Sequence, residues 1–254
     1  MKIIAVCNQK GGVGKTTTVF NLAAGLHACG KQVLAVDFDP QANLSSYIGF
    51  EPDGQPTMSE ILGVGVSGQK HSIENGIRHS AEGIDYIPAS IMLSGAERSL
   101  ILEIGSETVL SRILKNDCLL SYDYVLIDCP PSLGILMINA TAAADGVIIP
   151  IQAQKFALDG LDLLQGTINT VQQNLNSRLK IVGALITMTK RTNMSEAVVE
   201  ALKQKYGDLL FQTFIRDLTE ATDSTYAQKS LVATKGSRLG ADYIALAKEV
   251  TRRI

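Results

Sequence analysis

A doubly wound α/β fold, in which helices cover both faces of a mostly parallel sheet, is what this 254-residue sequence predicts. Three observations predict it. Short apolar runs that read as fully buried strands alternate with segments of helical periodicity. The first run leads straight into a glycine-rich loop, and that loop into a helical pattern. Two later runs end in carboxylates, Asp37 and Asp128, and open α/β sheets bind ligands outside the carboxyl ends of their strands.

Taken in order, residues 2–8 form the first buried strand. Residues 16–28 carry Val19, Leu22, Ala23 and Leu26 at helical spacing, and Gly30 stops the helix. Residues 32–37 are the second strand, and Phe38-Asp39-Pro40-Gln41 follows as a loop. Residues 49–80, rich in Gly, Pro and Ser, read as loop with one short helix at 58–62. A strand at 84–88, a long helix at 93–114 and a buried strand at 124–128 come next. Strands at 146–151, 181–188 and 212–215 continue the series, with helices at 158–174, 193–205 and 240–252. No repeat, low-complexity tract or linker divides the chain, so residues 1–254 are expected to form a single domain.

With 46% hydrophobic residues, such a chain can bury a large sheet. It has no apolar run of the roughly twenty residues needed to span a membrane, and its N-terminus has no cleavage-type pattern. Cys7, Cys29, Cys118 and Cys129 show no C-x-x-C spacing, which argues against structural zinc or a disulfide framework. A cytoplasmic protein with reduced thiols is expected. Net charge is −2, but residues 1–175 hold 10 Lys/Arg against 17 Asp/Glu, while residues 176–254 hold 13 against 8. The basic last third hints at a surface for a polyanion; solvated helix faces are the bland alternative.

The chemistry concentrates in Lys10-Gly11-Gly12-Val13-Gly14-Lys15-Thr16-Thr17. The common phosphate-loop pattern G-x-x-x-x-G-K-[ST] would need glycine where Gln9 stands, so this is a variant with a lysine at each end. Glycines let backbone N–H groups curl around phosphate oxygens. Lys15 is expected at the β/γ-phosphates, Thr16 at Mg²⁺, and the following helix N-terminus at the anion. Asp128, ending an apolar strand before Cys-Pro-Pro-Ser, occupies the position of a magnesium-holding carboxylate. Asp37 and Asp39 lie at another strand end, where either one could orient an attacking water.

On Asn8 to Thr17, Val36 to Leu44, Tyr124 to Gly134 and Lys190-Arg191-Thr192-Asn193, the whole chain resembles the ParA/MinD family of deviant-Walker ATPases, most closely compact ParA proteins of the Soj type. The resemblance implies ATP and Mg²⁺ as cofactors and a nucleotide-sandwich homodimer in which Lys10 reaches the partner's phosphates. It implies that Lys10, Lys15 and Asp39 are catalytic, Asp39 as water-positioning carboxylate, and that Thr16, Asp39 and Asp128 serve the metal. It extends the nucleotide contacts from residues 10–17 to Met188, Ile215 and Asp217. It further implies sequence-independent DNA binding by the ATP-bound dimer on the nucleoid, stimulation of hydrolysis by a ParB-like protein, and no membrane. Arg191 matches a DNA-contacting arginine of the family; Lys190, Lys203, Lys205, Lys235 and Arg238 are further basic candidates.

The chain departs from the family where Pro-Arg often follows the strand at Ile215: here Arg216-Asp217 follows, and Asp217 stands near an expected second arginine. The first strand starts at Lys2, so no N-terminal helix-turn-helix is expected. A MinD-like membrane-cycling or protein-cargo-positioning ATPase is a rival, but the final segment, Ala247 to Ile254, reads as the tail of a domain helix rather than an amphipathic anchor. An iron–sulfur reductase sharing this loop is another, and would need two exposed cysteines per chain near a two-fold axis. A binding module without turnover is the third.

Overall fold

The computed structural model describes residues 1–63, 71–154, 160–190 and 192–254. Seven strands, β1 (Lys2–Val6), β2 (Val33–Asp37), β3 (Arg78–His79), β4 (Asp85–Ile87), β5 (Tyr124–Asp128), β6 (Gly146–Gln152) and β7 (Lys180–Thr187), form one sheet in the order β3-β4-β2-β5-β1-β6-β7. Every pairing is parallel except that of the two-residue edge strand β3 with β4.

Alternate residues of each strand feed two separate cores, one on each face. From β1, Ile4 and Val6 face the core that packs α1 (Lys15–Ala28), α2 (Asn43–Ile48) and α10 (Arg238–Arg253). Ala5 and Cys7 face the other core, with α3 (Met58–Ile61), α4 (Leu93–Leu100), α5 (Val109–Ile113), α6 (Ile135–Ala143) and α7 (Leu161–Asn174). A strand buried on both faces shows no polar alternation, which is why these strands read as continuous apolar runs. Helices α8 (Asn193–Tyr206) and α9 (Glu220–Tyr226) complete the set. On the first face α1 and α10 approach closely at Gly25, where a Cβ would lie 2.8 Å from the Tyr243 carbonyl oxygen.

Two expectations are corrected. The helix expected over 93–114 is broken: α4 ends at Leu100, Gly105 takes the left-handed φ of 70°, and α5 begins only at Val109. The strand expected at 212–215 is not a strand. The segment runs beside β7, with Ile215 N donating to Ile186 O at 2.9 Å, but the N–H groups of Gln212 and Thr213 turn away to the Glu249 carboxylate on α10, at 2.9 and 3.0 Å. A side chain from a distant helix thus takes the donors a ladder would need. The expected helix at 158–174 is α7 from Leu161 onward; residues 158 and 159, like 64–70 of the loop after α3, lie outside the described residues. Among the described residues no helix is long and apolar enough to cross a membrane.

Candidate nucleotide site

β1, β2 and β5 end level with one another: Asp128 pairs with Val6 on one side and with Asp37 on the other. Three loops therefore leave the sheet at one pole, and the glycine-rich loop lies among them. Asn8 fixes its start, donating to Pro150 O in β6 at 2.7 Å and accepting from Lys10 N at 3.0 Å. Thr187, the last residue of β7, donates to Val13 O at 2.9 Å. Gly12 and Gly14 adopt φ of 71° and 87°, a region costly for any residue with a Cβ. Gly14 is also the N-cap of α1, and no side chain caps that helix. Its first-turn N–H groups thus remain directed at the space above the loop, where an anion is favoured.

Lys15 is buried, and its Nζ donates to the Lys10 carbonyl at 3.2 Å. Burial lowers its pKa, and Asp128 is the strongest of the charges that oppose this. A phosphate oxygen would replace that neutral acceptor with a stronger, charge-assisted one.

Three carboxylates stand beside the loop in different roles. Asp37 is fully employed: its Oδ2 accepts from Ser45 N and Ser45 Oγ at 2.8 and 2.6 Å, and its Oδ1 from Asp39 N at 3.2 Å. Burial pushes it up to about 6 despite these bonds. Asp39 accepts only one among the described residues, from Gln41 N at 3.0 Å through Oδ1, and leaves its second oxygen to the cleft. Asp128 accepts the Thr16 hydroxyl on Oδ2 at 2.7 Å, while its buried Oδ1 has no partner among the described residues. Burial drives its pKa well up, and Asp37 adds to this, whereas the Thr16 hydrogen bond pulls it down. An orphaned buried carboxylate oxygen next to a hydroxyl fits a hydrated Mg²⁺, a hard cation that takes one or two protein oxygens and fills its shell with water and phosphate.

The loop opens onto a cleft of about 760 Å³ lined by Gly11, Gly12, Gly14, Lys15, Thr16 and Thr17, by Asp39 and Gln41, by Met188, and, on its far wall, by Thr225, Tyr226 and Gln228. Lys10 sits half-buried at the loop's start, tied through its backbone N–H and C=O. Met188 reaches the cleft from a left-handed residue, φ 52°. Ile215 and Asp217 are not brought to it: Ile215 is buried beside β7, and Asp217 pairs with Lys190 Nζ at 3.0 Å. The far wall between Thr225 and Gln228 carries no sequence motif, nor does Ser45, the anchor of Asp37; neither was foreseeable from spacing.

The basic candidates do not all gather on one face. Lys190 follows β7 at the nucleotide pole, whereas Lys203 lies at the other end of α8, beside Lys2 and Lys180 at the starts of β1 and β7, in a groove of about 1200 Å³. Lys203 pairs with Glu200 at 3.8 Å, Lys205 with Asp162, and Arg238 with Glu220 at 3.6 Å. Lys235 is exposed and has no ion-pair partner among the described residues. Arg191 lies outside the described residues. The cysteines oppose a cluster-bearing dimer. Cys129 is buried with its thiol 3.1 Å from that of Cys7, and Cys118 lies in a turn preceding β5, at the other pole.

A family model described as an AAA domain matches residues 1–181. The sporulation initiation inhibitor protein Soj of Bacillus subtilis is 42% identical over 98% of both chains. The chromosome partitioning protein ParA of Caulobacter vibrioides is 37% identical over all of this chain and 95% of its own. Among solved structures, one named cobyrinic acid a,c-diamide synthase, from Mycobacterium smegmatis with an ATP analogue and magnesium bound, superposes with a TM-score of 0.83 at 34% identity. That match covers 99% of this chain and 95% of the other.

Proposed function

The chain belongs to the ParA/Soj family of P-loop ATPases, and from that premise we propose that it is a DNA-partitioning ATPase whose ATP-bound dimer holds DNA without sequence preference and lets go after hydrolysis. The observation that carries the reading is the division of labour at the strand ends: Asp39 keeps one oxygen free toward a cleft floored by a loop with a lysine at each end. Phosphoryl transfer to water needs little covalent help, only positioning and charge stabilisation. Lys15 and the first turn of α1 bind the phosphates. Thr16 and the unpartnered oxygen of Asp128 would hold Mg²⁺, which when bound neutralises charge on the β- and γ-phosphates. Asp39 orients the attacking water, and Asp37 keeps the loop after β2 in shape through Ser45. Lys10, at the mouth of the loop, completes the site of a second copy, and a ParB-like protein would speed the reaction at that interface.

The test combines phosphate release with gel shift on unrelated duplexes, in the presence of ATP, ADP or neither. ATP-dependent shifts of equal affinity on all duplexes are expected. DNA binding that ignores nucleotide would refute the cycle, and turnover only with an organic co-substrate would favour the amide-forming chemistry in the name of the Mycobacterium smegmatis structure. ATP-dependent sedimentation with anionic vesicles would favour a MinD-like cycle.

A further inference from the structure

With the phosphates assigned to one end of the cleft, the base must find a surface at the other, and the residues expected there from sequence, Ile215 and Asp217, do not line it. Among the described residues, four of those lining it are aromatic or largely apolar: Tyr47, Pro131, Met188 and Tyr226. Tyr47 is 2% exposed, packed edge-on against Phe20 at 4.8 Å between ring centroids, so its faces are taken. Pro131 follows Asp128 by three residues and stands at the metal end. Met188 and Tyr226 remain, and Tyr226 is 93% exposed.

Single exposed aromatics are ordinary on protein surfaces. What sets Tyr226 apart is the rigidity of the turn that presents it. Ser224, two residues before, is buried; its hydroxyl meets that of Tyr47 and donates to Lys229 O at 2.6 Å. Lys229 N returns to Ser224 O at 3.1 Å. Asn21, buried in α1, donates to the Tyr47 hydroxyl at 3.3 Å and accepts from Leu231 N at 2.7 Å. Gln228, left-handed at φ 49°, donates to Ser46 O at 3.2 Å. Hydrogen bonds to α1 and α2 thus fix the chain around position 226 relative to the helix that follows the phosphate loop, yet the ring itself packs on almost nothing.

We propose that Tyr226 is the nucleobase platform of this ATPase: its ring stacks on the purine of ATP or ADP bound to the same chain, with Met188 on the cleft's other wall. Stacking recruits the π-face of the base and the apolar body of the ring without needing base-specific hydrogen bonds. The turn that carries the ring is preorganised, so stacking has only the ring's own rotamer to order. The proposal rests on reading this cleft as the ATP site, and the experiment separates the two.

The sequence contains no tryptophan, so Tyr226→Trp introduces a single indole at the cleft. Its emission should change saturably with ADP and with ATP, and stay constant with inorganic tripolyphosphate. By calorimetry, Tyr226→Ala should weaken ADP binding about tenfold, within the range of a base–aromatic stack, and leave tripolyphosphate binding as in the parent; Tyr226→Phe should restore ADP binding. If the parent binds ADP but Tyr226→Ala binds it equally well and the indole is silent, the platform is refuted while the site stands. If the parent binds neither ADP nor tripolyphosphate, the site itself is misread. Unchanged ADP binding with loss only of the ATP-induced dimer would overturn the proposal too, by giving the ring to the second copy.

Discussion

At the scale of single residues, the site separates side chains that sequence treats alike. Asp37 and Asp39 are both acids at one strand end, and nothing in their spacing ranks them. The structure does: Asp37 spends both oxygens on Ser45 and the backbone of Asp39, while Asp39 keeps one oxygen free. Ser45 is eight residues from Asp37 and comes to it only because α2 folds back over the loop, so no local pattern reveals the pair. Two different phenotypes follow. Asp39→Ala should bind ATP within a few-fold of the parent while its hydrolysis falls by about a hundredfold or more, the loss typical of a positioned acid–base group; parental turnover would move the role elsewhere. Asp37→Ala leaves the N–H groups of Ser45 and Asp39 buried without acceptors, at about 1–3 kcal/mol each. It should therefore show first as a lowered melting temperature of the nucleotide-free protein, which a thermal scan would detect. Lys15→Ala should abolish ATP binding in calorimetry, because its ammonium is the buried cation closest to the floor of the cleft. The glycine-rich loop itself was fully legible, since its chemistry is local: glycine, lysine and threonine act within eight consecutive residues.

Elements were legible where their signal is local and illegible where a distant side chain decides. The buried strands β1, β2, β5, β6 and β7 lie within a residue or two of their expected bounds because burial on both faces writes itself as an apolar run. The 212–215 segment has the same composition, yet Glu249 diverts its donors. Glu249 also meets Arg253 at 2.7 Å. Burial alone would raise the Glu249 carboxyl, but the N–H groups of Gln212 and Thr213, and then Arg253, outweigh burial and hold it below the usual range. A carboxyl whose folded pKa is depressed stabilises the fold above its unfolded value, near 4.3, and loses that contribution as pH falls through the folded pKa. Glu249→Gln should thus cost about 1–3 kcal/mol at pH 7. The gap between variant and parent should narrow as pH drops below about 4. Melting temperatures at pH 7 and in that acid range would check both points; an equal gap at both would show that the ion, as opposed to the side chain's shape, contributes nothing.

Across the whole molecule, chemistry and charge divide between two poles. The nucleotide cleft occupies the carboxyl pole of the sheet, with Lys190 beside it, while Lys2, Lys180 and Lys203 surround a groove at the other. Composition revealed that the last third of the chain is basic; only the fold shows that its cations lie at both poles and that Lys190, Lys203, Lys205, Arg216, Arg238 and Arg253 are paired with acids. Exposed pairs of this kind are worth little and exchange readily, so they compete with a polyanion without excluding it. One chain would then neutralise too few phosphates for useful affinity, and a dimer doubles the number along one duplex. Because the binding constant falls with salt in proportion to the contacts made, dimerisation is what would convert weak attraction into binding. Lys10→Ala, which should bind nucleotide as a monomer but form no stable ATP-dependent dimer by light scattering, is therefore expected to lose DNA binding as well, although it removes no DNA contact. Arg191→Ala should do the reverse, keeping the dimer and losing the DNA. Lys235, exposed and without an ion-pair partner among the described residues, gives the quantitative form of the argument. In a symmetric dimer Lys235→Ala should flatten the plot of log affinity against log salt by about two, one contact per copy, and equally for every duplex sequence. An unchanged slope would remove Lys235 from the surface, and a slope that changed for one sequence alone would mean base recognition rather than charge.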